Sequence, residues 1–135
     1  MIVADSNLIA YLHLPGPKAG VADAVLMKDS EWWVPPLWKS EFRSILFAYV
    51  RMQGMDIATA EAHWAEAMDH LGTTQREPDP VSVRTKALDS GLSAYNAEFV
   101  VLAKELGVRL VTFDQQVLCA FSNVPTSSED FVAAF

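Results

Sequence analysis

Two short runs constrain this chain more than anything else in it: "MIVAD" at the start and "RLVTFD" near the end. Each is apolar, each carries Val, and each stops at an aspartate, Asp5 and Asp114. Apolar runs of this length with a polar stop read as buried strands. "EWWVPP" reads as a further short strand, halted by two prolines. Between them lie helical patterns. "SNLIAYL" starts a helix with Asp5 or Ser6 as its cap, and "GVADAVLMK" (Gly20 to Lys28) is helical. From Leu37 to Met52 apolar residues recur at 38, 42, 45, 46, 49 and 50, a helical stripe that Gly54 stops. Asp56 caps the next helix, "IATAEAHWAEAMDHL", which Gly72 ends. Pro80 opens a short helix that Gly91 ends, and "GLSAYNAEFVVLAKELG" is another, ended by Gly107. "QQVLCAF" is a short helix. "TTQREPDP" is expected to hold an edge strand and a turn, "SNV" a last edge strand, and the tail "PTSSEDFVAAF" some helix. Strands alternating with helical segments imply an α/β fold, with a parallel sheet of about four to five strands covered on both faces.

The 135 residues fit a single domain spanning 1–135. With 51% hydrophobic and 20% charged residues the chain is globular rather than disordered. It has no run of apolar residues long enough for a membrane span, and its N-terminus has no basic leader, so no signal peptide is expected. A lone cysteine, Cys119, cannot form an internal disulfide; its apolar segment suggests a buried small side chain in a reducing, cytoplasmic setting. A net charge of −7 argues against a sequence-independent nucleic-acid binder working through a basic face. It leaves room for an enzyme whose acids hold a divalent metal, and it suits a basic protein partner.

In open α/β sheets ligands bind at the C-terminal ends of the strands. Asp5 and Asp114 both stand at such ends, although each also reads as the N-cap of the helix that follows. Glu41 adds a third acid, in the first turns of the apolar helix carrying Trp38, Phe42 and Ile45. It reads either as a helix-dipole acid or as a ligand in the same crevice. Clustered carboxylates without His or Cys suit a hard cation such as Mg²⁺. Such a site binds a phosphodiester oxygen, activates water and stabilises a leaving oxygen.

The blocks "MIVADSNLIAYL", "SEFRSIL" and "LSAYNAEFVVLAKELGVRLVTFD" together resemble a PIN-domain ribonuclease, and within that family the VapC-type toxins of toxin–antitoxin pairs. The resemblance covers nearly the whole chain. It implies a PIN-like three-layer sandwich and Mg²⁺- or Mn²⁺-dependent endonucleolytic cleavage of RNA. It also implies a homodimer and inhibition by a cognate antitoxin. By resemblance Asp5 and Asp114 match the strand-end acids and Glu41 the helical acid. Ser6, Asn7 and Thr112 match small polar residues that support the site.

The chain departs from that pattern at Asn96. The family reads roughly S-x-Y-D-A; here it is "SAYNA". An amide still offers a carbonyl oxygen, but neither negative charge nor a base. One carboxylate beside a cation is worth a gross ~4 kcal/mol at ~4 Å and an effective dielectric of 20, part of it offset by desolvation. A drop in metal affinity of about tenfold or more follows, since ~1.4 kcal/mol suffices for that. Glu98 lies two residues on, about 200° round the helix, so it does not simply replace Asn96. A rim or capping role suits it. Ser93 shares the Asn96 side or caps the helix. Asp→Asn is nearly isosteric, so the amide leaves the fold intact whether or not it arose naturally. A non-catalytic module that keeps the fold to bind an antitoxin-like partner is the rival reading. A phosphatase-type acid cluster lacks its D-x-D, because Ser6 and Asn7 follow Asp5.

Trp32, Trp33, Trp38 and Trp64 are expected in core or interface rather than against bases. His13, His63 and His70 show no ligand spacing with Cys or acids and are expected at the surface or an interface. Arg43, Arg51, Arg84 and Arg109 are dispersed, and Arg43 is either near the site as a phosphate contact or solvent-exposed.

Overall fold

The computed structural model describes residues 1–120 and 125–134. Its elements run β1 (Ile2–Ala4), α1 (Ser6–His13), α2 (Ala19–Lys28), β2 (Trp32–Trp33), α3 (Trp38–Gln53) and α4 (Ile57–Leu71). They continue with α5 (Pro80–Ser90), α6 (Ala94–Leu106), β3 (Leu110–Thr112), α7 (Gln115–Ala120), β4 (Pro125–Ser127) and α8 (Ser128–Ala133). Four strands form one parallel sheet in the order β2-β1-β3-β4. Val3 is the pivot of the register, facing Trp33 on one side and Leu110 on the other.

This order puts a topological switch point between β1 and β3. The chain leaves β1 for one neighbour through α1 and α2, and reaches the other only after α3 to α6. Right-handed crossovers in opposite directions place α1 and α6 on opposite faces. Both central strands are therefore buried along their whole length, which their unbroken apolar sequences require. The core gathers β1 and β3 with Leu8, Ile9, Trp32, Trp38, Phe42, Val100 and Leu102, all 3% exposed or less.

Local chemistry sets the helix ends. Asp5, Asp56, Asp79 and Ser93 each accept a backbone N–H from three residues on, as N-caps do. Gly54, Gly91 and Gly107 close α3, α5 and α6 in the left-handed conformation that favours glycine.

Two expectations need revision here, and a third falls outside the described residues. "TTQREPDP" forms no strand; only Gln75 makes a single parallel bridge, to Val34, because the prolines behind it remove further pairing. Residues 122–124, "SNV", lie outside the described residues, and the edge strand β4 occupies Pro125–Ser127 directly after them. Cys119 is exposed rather than buried: α7 turns Val117 inward, so Cys119, two positions on, faces out.

Trp32 and Trp38 are buried, and Trp33 and Trp64 half-buried, as core residues. Among the described residues no helix is long and apolar enough to cross a membrane.

Candidate functional site

The C-terminal ends of β1 and β3 open into a crevice of about 280 Å³. Asp5, Ser6 and Asn7 enter it from the start of α1, Glu41, Ser44 and Ile45 from α3, and Asn96 and Phe99 from α6. Leu110, Thr112, Asp114 and Val117 complete its lining. The arrangement follows from the fold. The switch point separates the two strand ends, and the first turns of α3 and α6 lean over the gap.

Asp5 does two jobs. Its Oδ1 accepts the Leu8 N–H at 2.9 Å and caps α1, while its Oδ2 accepts from the Thr112 hydroxyl. Thr112 Oγ1 in turn accepts the Asp114 N–H at 2.9 Å, so one threonine ties the two strand-end acids together. Asp114 Oδ1 accepts the Gln116 N–H at 2.8 Å at the start of α7. The cap reading of both aspartates is therefore correct, and it coexists with their place in the crevice. Glu41 is held across the crevice by Ser6, whose hydroxyl donates to Oε1 at 2.5 Å.

Burial pushes the Asp5 carboxyl up to about 6, against hydrogen bonds from Thr112, Leu8 and Phe113 that pull it down. The like charge of Asp114 adds to the rise. A divalent cation would reverse both effects. The donors present, carboxylate, amide carbonyl and hydroxyl oxygens, suit a hard cation such as Mg²⁺ or Mn²⁺. Yet among the described residues no three His, Cys, Asp or Glu side chains converge closely enough to hold an ion as they stand. The acids share a cavity, each turned onto a hydrogen-bond donor of the chain.

The remaining candidates divide. Asn7 and Asn96 line the crevice. Ser93 does not; it is the N-cap of α6 and accepts the Asn96 N–H at 3.1 Å, fixing the turn that presents the amide. Glu98 is also outside the lining. Burial raises its pKa, and the charges of Glu77 and Glu41 add to the rise, so it sits on the acidic margin. Arg43 is exposed with its guanidinium 4.7 Å above the Trp64 ring, away from the crevice. Ser44 was not among the expected residues. Its spacing of three from Glu41 puts the two on one helix face, and that was the available signal.

The histidines are not simple surface residues. His13, His63 and His70 are half-buried, and His13 and His70 pack with their rings 5.7 Å apart. Helix docking brings the end of α1 onto α4, a contact that no local spacing announces.

No family model matches the chain, and no curated protein matches it either. Solved structures do. PAE2754 from Pyrobaculum aerophilum superposes with a TM-score of 0.77 at 20% identity, covering 98% of this chain and 93% of that one. FitAcB from Neisseria gonorrhoeae gives a TM-score of 0.71 at 15% identity, covering 96% of this chain and 99% of that one. At such identities the likeness shows the fold: a PIN-like α/β sandwich, with a four-stranded parallel sheet flanked by helices.

Proposed function

We propose that the chain is a PIN-fold, metal-dependent endoribonuclease of the VapC toxin type, a hydrolase of RNA phosphodiester bonds weakened by Asn96. The observation that carries this reading is the crevice. Three acids from three separate elements, Asp5, Glu41 and Asp114, face one cavity at the sheet's switch point. The fold, which the solved neighbours share, and the sequence resemblance support it.

Asp5, Glu41 and Asp114 would hold Mg²⁺ or Mn²⁺, with Asn96 offering its carbonyl oxygen. Bound there, the ion would supply Lewis-acid stabilisation of phosphoryl oxygens and a water of lowered pKa. The chain's own residues do the rest. Thr112 and Ser6 hold the acids in place through their hydroxyls. The cluster repels RNA phosphate until its charge is neutralised, which makes substrate binding depend on the cation. Asn96 adds no charge and takes no proton, so this copy is slower than an aspartate version.

The test is cleavage of single-stranded RNAs by purified protein with Mn²⁺ or Mg²⁺, for the chain as it stands and for Asn96→Asp. Metal-dependent cutting, faster in Asn96→Asp, is the expected outcome. Uncut RNA in both would remove the nuclease reading.

A second reading, a non-catalytic PIN-fold module that binds an antitoxin-like protein, has its own observation. An apolar groove of about 440 Å³ between α3 and α4 is lined by Leu46, Phe47, Val50, Ile57 and Trp64, together with the charged Arg43, Arg51 and Glu61. It suits the apolar face of an amphipathic segment. Retained binding of such a peptide, with no cleavage by either version, would favour it. Cytoplasmic action, a homodimer and a cognate antitoxin belong to the toxin proposal, and size-exclusion chromatography with light scattering checks the dimer.

A further inference from the structure

Away from the crevice, α1 ends in His13, and α4 carries His63, Glu66 and His70. Steps of three and four residues put these α4 side chains on one helix face. His13 meets them there with its side chain only 9% exposed. The surroundings are aromatic: the Trp32 ring lies 5.1 Å from His70 and the Phe42 ring 6.1 Å from His13.

The Ser30 backbone lies near enough to His70 to counter part of the burial effect on its pKa, while the ring's Nε2 has no hydrogen-bond partner. His13 Nδ1 faces Glu66 Oε2 at 4.0 Å. Its Nε2 is likewise buried without a hydrogen-bond partner, and so is Nδ1 of His63. A neutral imidazole nitrogen that no donor claims is available as a metal ligand. Two imidazoles on one tetrahedral ion, with bonds of ~2.0–2.1 Å, have ring centres about 5 Å apart; those of His13 and His70 are 5.7 Å apart.

We propose that His13 and His70 form a binding site for a borderline transition-metal ion, Zn²⁺ being the natural choice, that clips the end of α1 to α4. The donors are nitrogen, which separates this site from the all-oxygen crevice. Among the described residues no three candidate ligands already surround one point. The site therefore rests on two imidazoles, with its other positions taken by water, Glu66 or His63. Burial lowers the pKa of both rings, that of His13 to about 4, so both are unprotonated and ready to ligate at neutral pH.

The experiment uses the full, untagged chain stripped by chelator, titrated with Zn²⁺ alone and, for its visible absorption, with Co²⁺ alone. In Asp5→Asn/Asp114→Asn, which lacks the crevice aspartates, one ion is expected to bind per chain, with a rise in melting temperature. Binding should weaken at least tenfold when His70→Gln or His13→Gln is added to it. That background separates this site from the proposed nuclease centre. Nitrogen NMR of labelled histidine in the unmutated protein gives a readout independent of whether a variant folds: the Nε2 signals of His13 and His70 should move on Zn²⁺ addition. Unmoved signals, binding indifferent to both substitutions, or binding lost with the crevice acids would overturn the proposal. Unmoved signals would leave a buried bridging water as the partner of the two nitrogens.

Discussion

The eight-residue helix α1 has the acidic crevice at its first residue and the histidine cluster at its last. In both places burial drives an ionisable group towards its neutral form: Asp5 up to about 6, His13 down to about 4. The two differ in how the polar atoms are met. In the crevice the hydroxyls of Ser6 and Thr112 and the N–H of Leu8 and Gln116 satisfy carboxylate oxygens. In the cluster, nitrogens of three imidazoles remain unmet among aromatic rings. One region is an open polar crevice supported by its own scaffold. The other is a buried cluster whose ring nitrogens lack a hydrogen-bond partner among the described residues.

The sharpest way to break this contrast is Asp5→Asn. In an Asn96→Asp background, RNA cleavage should fall roughly 1,000-fold, ~4 kcal/mol of barrier. The same change should stabilise the metal-free protein at pH 8. The folded pKa of Asp5, about 6, lies above its ordinary 3.8. Its stabilising contribution is therefore fully present below 3.8 and lost as pH rises through about 6. Asparagine keeps the cap and escapes that loss. Urea unfolding at pH 5 and pH 8 measures it, and equal stability of both proteins at both pH values would show that the buried charge is already compensated.

The histidine side has the opposite sign. With a folded pKa of about 4 against the usual 6.5, His13 contributes stability that is present above 6.5 and lost as pH falls through 4. The metal-free protein should lose on the order of 3 kcal/mol over that interval through this residue. His13→Phe, which suits the aromatic surroundings, should flatten the curve in a comparison of melts from pH 7 to pH 4. An unchanged slope would mean that the imidazole reaches water.

Smaller effects separate scaffold from site within the crevice. Ser93→Ala removes the N-cap of α6 and should cost about 1 kcal/mol in denaturant unfolding. It should slow cleavage several-fold, because the first turn presents Asn96. Glu98→Gln should change crevice metal affinity by less than about threefold, as expected for a neighbouring, partly screened charge. A tenfold loss by titration calorimetry would instead make Glu98 a ligand.

Much of this was legible in the chain's order of residues. The strands over "MIVAD" and "RLVTFD" appear where apolar runs predict them, because central parallel strands are buried on both faces and need no alternation. The helix stops at Gly54, Gly91 and Gly107 hold because those positions take positive φ. Asp5, Glu41 and Asp114 could be nominated for one crevice because strand ends and first helix turns are local features, and Asn96 joined them through the family resemblance. The misreadings came where burial depends on a docking partner. Cys119 sits in an apolar stretch, yet its short helix has only one inward face. His13 and His70 carry no local signature, since 57 positions separate them in the chain.

Taken alone, then, the order of residues determined the α/β class, the caps and stops, and the identity of the acids at the strand ends. All of these follow from interactions within a few residues. Tertiary structure decided that Thr112 links Asp5 to Asp114, that Ser6 restrains Glu41, that Glu98 stays outside the crevice lining, and that two distant helices bring unpartnered imidazoles together. Those outcomes depend on which faces helices present after packing on the sheet, and packing is settled by the whole core at once.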